Sequence, residues 1–285
     1  MPSLPRRCLL AASLGVIAAP ARAARGRQLT RSSGAISYDV EGQGPCIVLI
    51  PSLGRGQEDF DGVAPRLLAA GFRLLRPEPR GIGGSAPIPP GADLHTLAAD
   101  IAALIEAESA APALVAGHAF GNWVARVTAY DHPALVSGVA MLAAVLGTEV
   151  DPDIRRSITA SFDTDLPDGE RLNHLRRAYF APGNDASVWL SGWHKAVAEA
   201  QRRAQAATTD KGWLRAGERL PLLYLAAAQD AIAPPPDERR MREALGPKTR
   251  LVVVQDAGHA LLPEQPQAVA EALIAFARSL PPTAR

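Results

Sequence analysis

The chain has 285 residues, a formal net charge of +1 and 47% hydrophobic residues. That is enough apolar material for one core of α/β size, and it lacks the basic excess that a nucleic-acid surface needs. A small molecule is therefore the expected partner, with no nucleic acid, and the protein is expected as a monomer or small homo-oligomer.

Arg6-Arg7, an apolar run over residues 8–19 and the small-residue segment Ala21-Arg22-Ala23 have the layout of an export signal. The paired arginines fit a twin-arginine signal, with an ordinary secretory signal or an uncleaved anchor as alternatives. The run is shorter than the ~20 apolar residues of a membrane span. Residues 1–23 are thus expected to be a signal peptide, and the mature protein to be periplasmic or secreted without stable membrane association. Cleavage after Ala23 leaves 262 of the 285 residues; because Arg6, Arg7 and Arg22 leave with the signal, the formal charge falls from +1 to −2. Cys8 leaves as well, so Cys46 has no intrachain partner. It opens an apolar strand and reads as a small buried hydrophobe.

Residues 24–34 are polar and read as a flexible leader. Residues 35–40 alternate weakly and predict an edge strand, followed by a turn at 41–45. Ile47, Val48, Leu49 and Ile50 form the continuous apolar run of a strand buried on both faces. After a loop at 51–56, Phe60, Val63, Leu67 and Leu68 have helical spacing, with Gly71 as the stop. A strand at 72–75 runs into a glycine-rich loop at 77–85. Leu97, Ile101, Leu104 and Ile105 share one face of a helix over 94–107. The next strand, at 113–116, meets a tight Gly117-x-x-x-Gly121 turn, then a helix ended by His132-Pro133, then a strand at 139–142. From 147 to 220 the strand signal disappears and aromatics gather: Tyr179, Phe180, Trp189, Trp193 and Trp213. This predicts a helical insertion, with the tryptophans read first as its core and second as a substrate platform. The rhythm then resumes: strand 222–225, helix 237–245, strand 251–254, helix 266–280. Alternating strands and helices imply an α/β fold with a mainly parallel sheet covered on both sides.

The turn Gly117-His118-Ala119-Phe120-Gly121 has the outline of a nucleophile elbow, in which small residues allow a strand-to-helix turn tight enough to hold its tip out of the sheet. The tip wants serine; here it is Ala119. Two later strands lead to Asp230 and His259, and ligand-handling residues in open α/β sheets sit beyond the carboxyl ends of strands. The order elbow, acid, histidine is that of the α/β-hydrolases.

From about residue 35 to 277 the chain resembles the α/β-hydrolase-fold superfamily. Pro51-Ser52-Leu53-Gly54 is similar to its oxyanion loop, residues 78–85 to its Asp-x-Arg-Gly loop, Gln229-Asp230 to its acid turn and Asp256-Ala257-Gly258-His259 to its histidine loop. The insertion falls where that family carries a helical cap, giving a signal over 1–23, a leader over 24–34 and a hydrolase domain over 35–285 with its cap at about 147–220. The resemblance implies His259 as general base, Asp230 as the group that orients it, and the backbone N–H groups of Phe120 and Leu53 as the oxyanion hole. Ser52, Trp189 and Trp193 are the expected pocket residues. His118 reads as a packing residue of the elbow. His174 and His194 lack ligand spacing, so no metal and no cofactor is expected.

The departures are Pro51 for histidine, Ser52 for glycine, Glu78 for aspartate and, above all, Ala119 for the nucleophile. Without a hydroxyl there is no acyl-enzyme. Four readings remain: an enzyme acting on esters, lactones or similar carbonyls through His259-activated water or proton transfer; a periplasmic binding pseudoenzyme; an engineered serine-to-alanine hydrolase; and a displaced nucleophile, Ser52.

Overall fold

The computed structural model describes residues 24–147 and 149–281; the expected signal over 1–23 lies outside the described residues. At the centre stand strands whose side chains are buried on both faces: β3 (Cys46–Ile50), β5 (Ala113–His118) and β7 (Leu222–Ala227). With β4 (Arg73–Pro77), β6 (Val136–Leu142) and β8 (Thr249–Val254) they form parallel ladders, as continuous apolar runs require. Two antiparallel strands complete one edge, β1 (Ala24–Leu29) and β2 (Ile36–Glu41), giving the order β1-β2-β4-β3-β5-β6-β7-β8.

The edge corrects two expectations. Residues 24–29 are a strand, not a flexible leader, and β2 is therefore flanked on both sides. The polar sequence of β1 is held by long-range polar contacts: Gly26 N–H donates to Asp39 (2.7 Å) and Arg27 pairs with Glu108 (2.6 Å). Beyond the strand, Arg31 reaches Asp100 (2.5 Å), which also anchors the buried Arg80 of the glycine-rich loop.

One apolar layer packs α2 (Leu94–Ala107) and α3 (Phe120–Asp131) on one face of the sheet; the other packs α1 (Ala64–Ala69) and α9 (Pro266–Ser279) on the opposite face. A side-chain cap by Asp93 and its reciprocal partner Thr96 starts α2, and proline opens α9. Between β6 and β7 lie α4 (Pro152–Ser161), α5 (Asp168–Ala178) and α6 (Lys195–Ala207). Their own core gathers Phe162, Leu175, Tyr179, Phe180, Trp189 and Trp193. Trp213 departs from the expected cap core. It packs in the main core, where the Arg126 guanidinium lies 4.8 Å from its ring centre. The helix α7 (Glu238–Leu245) is capped by Asp237, and the short α8 (Leu261–Glu264) follows the histidine loop.

Candidate active site

The elbow is built by backbone crowding. A Cβ on Gly121 would stand 2.5 Å from the Ile50 carbonyl oxygen and 2.6 Å from that of Pro51. Only glycine lets α3 start this close to the end of β3. At the tip, Ala119 has φ +45° and ψ −110°. A residue with a Cβ holds that left-handed conformation only under tertiary constraint, at a cost of about 1–3 kcal/mol. The strained turn is thus kept with alanine at its tip.

Phe120 opens α3, and its N–H points out of the first turn, where the helix dipole favours negative charge. Leu53 faces the same space from the loop after β3. Neither N–H is used in a loop or turn backbone bond among the described residues. The loop is pinned from the cap: Gly54 N–H donates to Gln201 on α6 (2.7 Å), and its carbonyl accepts from His194 N–H (2.9 Å). Gly54 has φ +61°, and a Cβ there would come within 2.8 Å of Ala198.

Asp230 follows β7 and His259 follows β8. One Asp230 carboxylate oxygen accepts from the N–H groups of Ile232 and Ala233, both at 2.8 Å; the other lies 2.9 Å from His259 Nδ1. Both side chains are buried. An acceptor facing Nδ1 places the ring proton there and leaves Nε2 with its lone pair. His118, fully buried, donates from Nε2 to the His259 carbonyl (2.8 Å), and its Nδ1 has no partner. Burial, with the nearby His259 as a lesser cause, pushes its pKa down to about 3, so the ring is neutral. Its place is beneath the histidine loop, as a packing residue.

Glu264 is a positioning residue that the sequence did not reveal. One carboxylate oxygen accepts from Gly258 N–H (2.7 Å), and the other from Ala181 N–H (2.7 Å) and the Asn184 amide (2.6 Å). It therefore ties the histidine loop to the cap. Burial raises its pKa above the ordinary carboxylate value, against the pull of those hydrogen bonds.

A cavity of about 540 Å³ lies between cap and sheet. Ala119, Phe120, Leu53, Ser52 and His259 form its floor, and Trp189 and Trp193 its wall. Asp230 stands behind His259, outside the lining. Tyr179 and Asn122 line it too. Asn122 follows the elbow directly, and its amide nitrogen donates to the Ala119 carbonyl. On the loop after β3, Arg55 stacks 4.5 Å from the Trp189 ring centre while its guanidinium is engaged by Asp59 at 3.0 and 3.1 Å. Among the described residues no group of three or more His, Cys, Asp and Glu side chains converges to hold a metal, and no helix is long and apolar enough to cross a membrane.

A parallel sheet with an elbow after β5, an acid after β7, a histidine after β8 and a helical cap defines an α/β-hydrolase. The profile of the alpha/beta hydrolase family matches residues 47–272, and the chain belongs to that family. Among its relatives, BpoC of Mycobacterium tuberculosis, provisionally named a non-heme bromoperoxidase, is 28% identical over 263 residues, covering 86% of this chain and 98% of its own. The crystal structure of that protein aligns with a TM-score of 0.72 at 27% identity, covering 87% and 97% of the two chains. A non-heme chloroperoxidase of Streptomyces lividans is 28% identical over 242 residues, 78% of this chain and 87% of the relative. An esterase of Thermogutta terrifontis shares the fold, with a TM-score of 0.72 at 22% identity over 90% and 98%.

Proposed function

We propose that this protein hydrolyses a small carbonyl compound, an ester or lactone, without a covalent intermediate. A substrate carbonyl seated over Ala119 places its oxygen at the Phe120 and Leu53 N–H groups. A water held against the Ala119 methyl gives a proton to His259 Nε2 as its oxygen bonds to the carbonyl carbon. Asp230 stabilises the imidazolium. Collapse of the tetrahedral intermediate breaks the bond to the leaving oxygen, which takes the proton back from His259. The observation that carries this reading is the aligned Asp230–His259 pair, held at 2.9 Å by two backbone donors and opening into the cavity beside Ala119. Orienting groups of this kind are what a general base needs, and a binding pocket has no use for them. The proposed setting is outside the cytoplasm, after export by residues 1–23.

The test compares parent, His259→Ala and Ala119→Ser proteins on 4-nitrophenyl esters and lactones, with halide oxidation assayed alongside because of the relatives' names. Parent turnover lost on His259→Ala, and a burst of acyl-enzyme gained on Ala119→Ser, are the expected results. Activity that survives His259→Ala overturns the water-attack mechanism. The second reading, a binding pseudoenzyme, is favoured by Ala119 itself; it predicts tight ligand binding with no product, unchanged on His259→Ala.

A further inference from the structure

The cavity carries a charge pattern that the hydrolase chemistry does not use. No aspartate or glutamate lines it, whereas three arginines do: Arg55, Arg155 and Arg202. Arg55 is accounted for. Its guanidinium is neutralised by Asp59, and Nη1 donates to the Ser191 carbonyl at 2.7 Å. The other two stand differently. Arg155, on α4, donates from Nη2 to the Val150 carbonyl at 3.3 Å, and Arg202, on α6, lies 5.2 Å from the Phe162 ring centre. Neither makes an ion pair among the described residues.

The two arginines come from different cap helices and meet on one cavity. Both are exposed, so they sit at its mouth, while the aromatic wall and the elbow lie inside. Arg202 directly follows Gln201, the residue that pins the oxyanion loop through Gly54. Its distance from the reacting carbonyl is thereby tied to the loop that would hold that carbonyl. The charge of Arg202 also acts on the buried Tyr179 hydroxyl, another lining group.

We infer that the substrate is an anionic amphiphile: a reactive carbonyl at the elbow, an apolar middle along the aromatic wall, and a carboxylate or phosphate held by Arg155 and Arg202. Arginine suits either anion because its planar donors match both in paired geometry. The inference rests on the proposed hydrolase reading for the carbonyl end, but the anionic end stands on the arginines alone.

The test uses a matched pair, 4-nitrophenyl hydrogen suberate and its neutral methyl ester, with parent and Arg155→Gln/Arg202→Gln proteins. The expected parent preference for the anion in kcat/KM is roughly tenfold at low salt, falling with ionic strength and reduced to about one in the double variant. Turnover of the anionic ester falls far more than that of the neutral one. Equal use of the two esters by the parent, or a preference that survives in the double variant, overturns the inference while leaving the hydrolase reading intact. If neither ester is turned over, the hydrolase reading has failed, and binding decides the anion question separately. Octanoate and octyl phosphate, but not octanol, should then quench the tryptophan fluorescence of the parent, and the double variant should lose that discrimination. Equal quenching by octanol overturns it. The stronger of the two anions identifies the head group.

Discussion

His118 gives a sharp link between packing and pH. Its ring is fully buried between the elbow and the histidine loop, with Nε2–H committed to the His259 carbonyl and Nδ1 without a partner. The charged groups that reach it are His259 and Arg55, which oppose its protonation, and Asp230, which favours it; burial is the largest cause. The folded-state pKa is about 3, against 6.5 for the free ring. The unfolded chain thus binds the proton more tightly, so this residue's contribution to stability is complete above the unfolded value and declines as the pH falls below about 6.5. Between about pH 7.5 and pH 5 the decline is about 2 kcal/mol, from the 1.36 kcal/mol that each pH unit carries. His118→Gln keeps an N–H donor for the His259 carbonyl and removes the titration. Urea unfolding of parent and variant at the two pH values measures the difference directly. The parent should lose about 2 kcal/mol more than the variant. Equal losses in the two proteins refute the reasoning, as does a His118 ring that titrates near pH 6.5 by NMR.

Three further outcomes are expected besides the activity tests above. Gly121→Ala forces a Cβ against two carbonyl oxygens of the β3 end, so it should lower stability by about 1–3 kcal/mol or more, seen as a lower denaturation midpoint. A variant as stable as the parent would mean that α3 can back away from β3. Glu264→Gln sets an amide N–H against a backbone donor of the Gly258 or Ala181 pair, costing about 1–3 kcal/mol. Its kcat/KM should fall with KM little changed, because the histidine loop rather than the cavity is loosened; a rise in KM alone would deny that role. Trp193→Ala removes a buried ring packed on Phe162, Tyr179 and Trp189 and should cost about 3–5 kcal/mol by chemical denaturation.

Much of this was legible in the chain. Continuous apolar runs marked β3, β5 and β7 because strands covered on both faces bury nearly every side chain, and apolar side chains need no partner there. The glycine spacing at 117 and 121 marked the elbow because only a bare Cα fits that approach. The order of Ala119, Asp230 and His259 followed from strand ends. The edge was not legible. β1 is polar, and its partners Asp39 and Glu108 lie on other elements, so its charges look like those of a solvated leader.

The same limit applies to the site. Sequence alone determined that the elbow tip, Ala119, carries no hydroxyl, since the residue at one position decides which atoms exist there. Only the tertiary structure decided that Glu264 ties the histidine loop to Ala181 of the cap, 83 residues away in the chain, and that Trp213 leaves the cap for the main core. It also brought Arg155 and Arg202, from two different cap helices, to the lining of one cavity. Local sequence fixes the strand, the turn and the chemical group. Which distant groups meet depends on how the layers close over the sheet, and that is a property of packing.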